Sequence, residues 1–357
     1  MRGLNTQKKG KWLVYGTGSV AKQALGFAAL AELPVSLAGR NAISVHRLAT
    51  ANGVPGQKLD LDEDIKAALQ GYLGILNLAG PYQTTAPRLL EASLKAGIHY
   101  VDVSNDLSSH KLAWASHGRA TTAGIGIVAG AGMGTCHSEL LLNLLAQRAN
   151  AELLEATLIM LPSGSSHKSS AVQASYAALL SEDGAEIKDH ILRAVRGVER
   201  VHRLESWAGV GAGIVMATGD IVAISQTLPM KNISVMAAVD ADPSRVRVLF
   251  DQLTCDARRK PLDQVGAPPN QQWEQQLTQA ETQPQVRLLG EITTRSGQSV
   301  RGQLIAGSGT SAAAAGAVEV ARAISENGLV GTHTAYQVLA GRMPLAKPSP
   351  RVVILDH

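Results

Sequence analysis

The chain has 357 residues, 45% of them hydrophobic and 17% charged, with a formal net charge of +4; this is long for one compact domain and enough for a sizeable core, so two domains around a cleft are expected. Aromatic residues make up only 3%, and no Lys/Arg run exceeds Lys8-Lys9 or Arg258-Arg259-Lys260, which argues against a nucleic-acid surface. Two cysteines without CxxC spacing, and no histidine cluster at metal-ligand spacing, exclude a zinc site or a disulfide scaffold, and no apolar stretch of about eighteen residues is available for a membrane span.

A reducing cytoplasm is the expected setting. In chain order, Trp12-Leu13-Val14-Tyr15 reads as a strand that runs directly into Gly16-Thr17-Gly18-Ser19-Val20-Ala21 and an Ala/Leu-rich helix over 20–33, stopped by Pro34. That is the pattern of a dinucleotide site. Gly16 permits the tight turn, Gly18 lets the backbone approach a pyrophosphate, and Ala21 allows the helix to pack closely on the strand. The helix N-terminus from Val20 then offers unpaired N–H groups to phosphate.

Val35-Ser36-Leu37-Ala38 reads as a second strand, closing a βαβ unit of about thirty residues. The turn after it, Gly39-Arg40-Asn41, lacks the Asp or Glu that an NAD site places there for the adenosine ribose. An acid about 4 Å from a 2′-phosphate would cost on the order of 4 kcal/mol at an effective dielectric near 20. Arg40 instead contributes about 1.5–3 kcal/mol through a charged hydrogen bond. NADP, bound as NADPH, is therefore the expected cofactor.

The alternation continues with a strand over 57–61, a short helix over 63–70 and a strand over 73–78. Thr84 or Thr85 is expected to cap the next helix, with Pro87 near its first position; Leu89, Leu90 and Leu94 form its buried stripe, and Gly97 ends it. A fifth strand over 99–103, a helix over 108–122 and a sixth strand over 126–129 complete the run. The fold class is therefore α/β, with residues 1–131 forming a Rossmann-type, doubly wound parallel sheet.

After about residue 131 the strand candidates (151–161, 230–239, 285–294 and 299–306) lengthen and become paired. Residues 132–307 are thus expected to form an α+β substrate and dimerisation domain with a mixed or antiparallel sheet. The glycine-rich stretch 209–219 resembles no phosphate loop and reads as a loop or strand edge, and 261–284 reads as a surface insertion or mobile loop. Ser308-Gly309-Thr310-Ser311 caps an Ala-rich helix over 312–327, which opens a C-terminal segment, 308–357, expected to pack back on the first domain.

Four segments together resemble the saccharopine dehydrogenase-like reductase family, which includes trans-acting enoyl reductases. They are Gly16 to Ala21, Leu37-Ala38-Gly39-Arg40-Asn41, Asn77-Leu78-Ala79-Gly80-Pro81-Tyr82 and Ala96-Gly97-Ile98-His99-Tyr100-Val101-Asp102-Val103. The match covers roughly the first 140 residues. The resemblance implies an NADPH-binding domain in which the turn Asn77, Ala79, Gly80, Pro81 lies under the nicotinamide. Sheet physics places a ligand there independently, because ligands sit outside the carboxyl ends of the strands. The chain departs from the family at Ser104-Asn105-Asp106, where Gly-Glu is common, and at Gly132 to Glu139, where an aspartate is lost and His137 replaces proline.

Hydride transfer belongs to the cofactor, so the protein must supply position, a dry cleft and a proton. His137 is the foremost candidate donor, because an unperturbed imidazole titrates near neutrality. Tyr82 either donates its phenol proton or walls the nicotinamide pocket, Asp106 orients a substrate amine or pairs with a lysine, and Asp102 is structural. Cys136 is read as packing rather than as a nucleophile. The expected function is NADPH-dependent reduction of a C=N or polarised C=C bond of a small metabolite or biosynthetic intermediate by a homodimer. The competing reading is an NADPH-binding sensor or scaffold without turnover.

Overall fold

A computed structural model of the chain describes residues 10–63, 65–161, 183–204, 211–239, 242–244, 246–248, 286–342, 344 and 349–355. They divide into two compact units: residues 1–140, 222–227 and 309–350 form the first, and 141–221, 228–308 and 351–357 the second. The stretch 261–284 lies outside the described residues.

The first unit alternates strand and helix: β1 (Lys11–Tyr15), α1 (Ser19–Leu30), β2 (Val35–Gly39), α2 (Ala42–Asn52), β3 (Gly56–Lys58), β4 (Tyr72–Asn77), α3 (Tyr82–Ala96), β5 (His99–Asp102), α4 (Leu107–Ala115), α5 (His117–Ala123) and β6 (Gly126–Val128). The chain continues through α6 (Met133–Ala149), β7 (Leu153–Leu161), β8 (Gly184–Lys188), β9 (Ile191–Val195), β10 (Val201–Arg203), β11 (Ala212–Val215), α7 (Gly219–Thr227), β12 (Asn232–Val239), β13 (Val286–Thr294) and β14 (Ser299–Ala306). It ends with α8 (Gly309–Asn327), β15 (Gly331–Thr332), α9 (Ala335–Val338) and β16 (Arg351–Leu355).

The first sheet has the order β15-β6-β5-β4-β1-β2-β3, and every pair in it is parallel. It is the expected doubly wound sheet. Alternation along the strands builds two cores. Trp12, Val14, Leu37, Leu76, Val101 and Val128 face α1 and α8, while Leu13, Ile75, Tyr100 and Ile127 face α3, α4 and α5. Burial on both faces is what a parallel sheet requires. The alanines of α8 allow a close approach: a Cβ on Gly316 would collide with the Ala131 carbonyl oxygen. Trp12 Nε1 donates to Ser325 Oγ at 2.9 Å, tying the first strand to that helix.

The second unit is a mixed sheet of order β10-β11-β12-β7-β13-β14-β16, with β8 pairing both β12 and β9. Strands β12 and β7 run parallel; the other pairs are antiparallel. Gly290 and Gly302 lie opposite each other on β13 and β14. A Cβ at either would press on Leu145, and one at Gly290 also on Leu141, so the paired glycines form the bed for this part of α6.

Several local expectations give way. Among the described residues of 63–70 the helical piece is a 3-10 turn, Ala67–Leu69, because the run is too short to nucleate an α-helix. The expected helix over 108–122 breaks at Ser116, whose N–H donates to both Leu112 and Ala113 carbonyls. Helix α3 starts at Tyr82, with Pro87 in its interior, and the Thr85 hydroxyl donates to Ala79 O rather than capping. Residues 212–215, read as loop or strand edge, form an interior strand paired on both sides.

Candidate functional site

Strand order reverses at β1, with β2 on one side and β4 on the other, which opens a crevice at their carboxyl ends. The turn after β1 lies against the turn after β4. Gly16 takes φ +130°, and a Cβ there would stand 2.9 Å from Leu78 O, so only glycine lets the two turns meet. Leu78 N–H donates to Tyr15 O at 2.8 Å, and Gly16 N–H to Ala38 O at 2.9 Å.

Gly18 serves a different purpose. It is exposed, it is the N-cap of α1 without any side-chain cap, and a Cβ on it would meet nothing within 4 Å. The open space therefore sits over bare amides at a helix start, with Ser19 exposed and Val20 partly buried beside it. A pyrophosphate fits that cradle, since the N–H groups and the helix dipole need no charged side chain to hold an anion. Thr17 turns inward, its Cγ2 lying 3.4 Å from the point where a Cβ on Gly39 would stand.

Arg40 follows β2, exposed, and forms no ion pair among the described residues. Asn41 caps α2 by accepting the Ser44 N–H at 2.9 Å, so its side-chain oxygen is already engaged. Tyr15, beneath this end of the sheet, has its phenol pushed up by burial and by Asp60, against a lowering influence from Arg40.

The turn after β4 is shaped by buried hydrogen bonds. Asn77 is fully buried; its Oδ1 accepts from Ala79 N at 3.3 Å, and its Nδ2 donates to Thr85 Oγ1 at 3.2 Å and to the Tyr100 phenol Oη at 3.1 Å. Asn77 thus faces inward, and the surface left for a ligand is Ala79, Gly80 and Pro81. The Gly80–Pro81 peptide is cis.

Tyr100 donates onward to Asp102 Oδ2 at 2.8 Å, and Asp102 Oδ1 accepts from Ser104 N and Gly130 N, each at 2.9 Å. Asp102 titrates near 6, raised by burial and restrained by these donors. The sequence reading treats Asp102 as structural and Thr85 as a possible helix cap, and gives Tyr100 no role. The available signal was period: residues 100 and 102 of one strand share a face.

The three candidate catalytic residues sit in different environments. Tyr82 packs over Gly80, with ring carbons about 4 Å from where a Cβ there would stand, and its phenol is pushed well up by burial and by the Asp102 and Asp106 carboxylates; it stays protonated at neutral pH. Asp106 is the N-cap of α4 but its side chain makes no cap; its N–H donates to Ser104 Oγ at 3.0 Å. His137 is fully buried, and neither ring nitrogen reaches a partner at hydrogen-bond geometry among the described residues. Burial lowers its pKa to about 4, against an upward influence from the Gly132 backbone. The imidazole expected to donate a proton is therefore neutral near pH 7. Cys136 is buried and its thiol is pushed well up by burial and by Glu139, which removes it as a nucleophile.

The glycines after β6 hold the neighbouring turn close. Gly132 abuts Val103 and Ala313, and Gly134 abuts the Asn105 amide, whose Oδ1 is buried without a partner. Among the described residues no group of three or more His, Cys, Asp or Glu could hold a metal ion, and no helix is long and apolar enough to cross a membrane.

No family model matches the chain, and no curated protein matches it in sequence. Among solved structures, apo saccharopine dehydrogenase (L-Glu forming) from Saccharomyces cerevisiae matches 97% of this chain and 100% of its own, at TM-score 0.64 and 11% identity. The fold is that of saccharopine dehydrogenase. At such identity the likeness extends to the saccharopine dehydrogenase fold and no further. An Agrobacterium radiobacter oxidoreductase solved with NAD+, L-tartaric acid and magnesium matches 94% of this chain and 93% of its own at 12% identity, and a probable dehydrogenase from Thermotoga maritima matches 93% of each at 9%. Both have TM-score 0.46, too low to carry an argument.

Proposed function

We propose that the chain is an NADPH-dependent oxidoreductase that reduces a C=N or polarised C=C bond of a small metabolite or biosynthetic intermediate. The observation that carries this reading is the pairing of an uncapped glycine cradle at α1 with Arg40 at the end of β2, exposed and without an ion pair among the described residues. Gly16 to Val20 would hold the pyrophosphate, Arg40 the 2′-phosphate, and Ala79, Gly80 and Pro81 the nicotinamide. The saccharopine dehydrogenase-like fold supports the same reading.

The cofactor, when bound, supplies hydride. What the chain supplies is a flat turn for the ring, a phenol at Tyr82 that keeps its proton at neutral pH, and Asp106 near that phenol. Tyr82, packed over Gly80 in that turn, is by position the better-placed donor of the three, and His137 a neutral hydrogen-bonding group. A second reading, nicotinamide binding without turnover, is favoured by the depressed His137 pKa.

Fluorescence titration should show NADPH binding tighter than NADH. Stopped-flow oxidation of bound NADPH against a panel of imines and enoyl thioesters then separates the readings. Turnover with one class identifies the bond reduced, whereas silence with every acceptor favours the sensor.

A further inference from the structure

Two turns at the carboxyl edge of the first sheet, 77–82 and 130–132, are far apart in sequence and joined through one phenol. Ala79 N–H donates to Asn77 Oδ1; Asn77 Nδ2 donates to Tyr100; Tyr100 donates to Asp102; and Asp102 accepts from Gly130 N–H. Asn77 has two amide protons, one going to Thr85 and the other to Tyr100. The phenol oxygen is thus an acceptor on one side, and its own proton has one destination, Asp102. Thr85 closes the other end by donating to Ala79 O at 2.7 Å. Asn77, Thr85, Tyr100, Asp102 and Gly130 are buried, and each bond fixes the direction of the next, so the chain holds one arrangement.

We propose that Tyr100 is a positioning residue for the nicotinamide end of the cofactor site: through Asn77 it sets the height and tilt of the Ala79–Gly80–Pro81 turn, and through Asp102 it locks that turn to Gly130. This rests on the nicotinamide-site reading above. The adenosine end stands on a separate footing, because Gly18 and Arg40 are positioned by β1, β2 and α1, which take no part in the hydrogen-bond chain. Removing the Tyr100 hydroxyl leaves the ring packing in place and strands one amide N–H on Asn77 and one lone pair on Asp102. The turn beyond Leu78 is then free to shift, while Leu78, whose N–H stays on Tyr15 O, keeps its contact with Gly16 and leaves the glycine cradle in place.

The test compares two probes on the full-length protein: NADPH, and adenosine 2′,5′-bisphosphate, which lacks the nicotinamide half. Tyr100→Phe should weaken NADPH about tenfold and leave the bisphosphate within about twofold. Equal losses for both probes, or no loss for either, would overturn the proposal. Should Tyr100→Phe fail to fold, Thr85→Val interrupts the same chain at its far end, and the same selective loss is required of it. A wild-type chain that bound neither probe would sink the cofactor reading itself, an outcome distinct from the variant results.

Discussion

Thr17 occupies the space beside Gly39: the threonine Cγ2 lies 3.4 Å from where a side chain on residue 39 would begin. The glycine turn after β1 and the end of β2 therefore lie side by side, with Arg40 as the next residue along β2.

Arg40→Ala is expected to weaken NADPH about 10- to 100-fold, the cost of one charged hydrogen bond to a phosphate, while NADH affinity stays nearly constant. Parallel titrations of both nucleotides check this. Equal losses would refute a 2′-phosphate contact.

The two glycines of the phosphate turn should separate stability from binding. Gly18→Val projects into open space and should cost the fold no more than about 1 kcal/mol, as for other N-cap replacements, yet abolish measurable dinucleotide binding. Gly16→Ala, strained at φ +130° and pressed on Leu78 O, should lower stability by about 1–3 kcal/mol. Urea midpoints alongside binding isotherms give both quantities. A Gly18→Val chain that still bound NADPH would show that the cradle is not used.

Acid should unfold the protein through its buried histidines. His99 stacks on Trp12 with ring centroids 6.2 Å apart and accepts the Gly126 N–H on Nδ1 at 2.8 Å; burial takes its pKa to about 4, as for His137. Both pKa values lie below the unfolded 6.5, so the unfolded chain binds protons first and stability falls as pH drops from about 6.5 towards about 4. Asp102, raised from 3.8 to about 6, works in the opposite direction: its contribution is present below about 4 and is lost as pH rises through 6. Two histidines outweigh one carboxylate. Urea melts at pH 7 and pH 5 should show the loss, and His99→Gln, which does not titrate, should reduce it; an unchanged difference would exclude His99.

Tyr82→Phe should depress turnover at least tenfold with NADPH affinity nearly intact, because the phenol is the protonated group near the proposed nicotinamide turn. His137→Gln should have the smaller effect on turnover. The reverse ranking would restore His137 as the proton donor.

Trp12 to Arg40 was legible because its signals are local: an apolar run, glycines at fixed offsets, a proline stop and an arginine at a strand end. Every one of those positions follows from backbone freedom and helix-end chemistry within thirty residues. The helix break at Ser116 and the start of α3 at Tyr82 were not legible, since propensity continues through the first and Thr85 offers a cap that tertiary contacts redirect to Ala79 O. Strand β15 has two residues and exists only because Gly331 and Thr332 lie along β6.

The amino-acid sequence alone determined the alternating architecture, the glycine turn after β1 and the arginine at the end of β2, because each depends on neighbours along the chain. The tertiary structure alone decided which polar groups face inward. His137 looked like an ordinary imidazole until burial lowered its pKa, and Tyr100 like an ordinary strand tyrosine until Asn77 and Asp102 closed on its hydroxyl. Desolvation and hydrogen-bond partners are set by residues distant in the chain, and no local pattern encodes them.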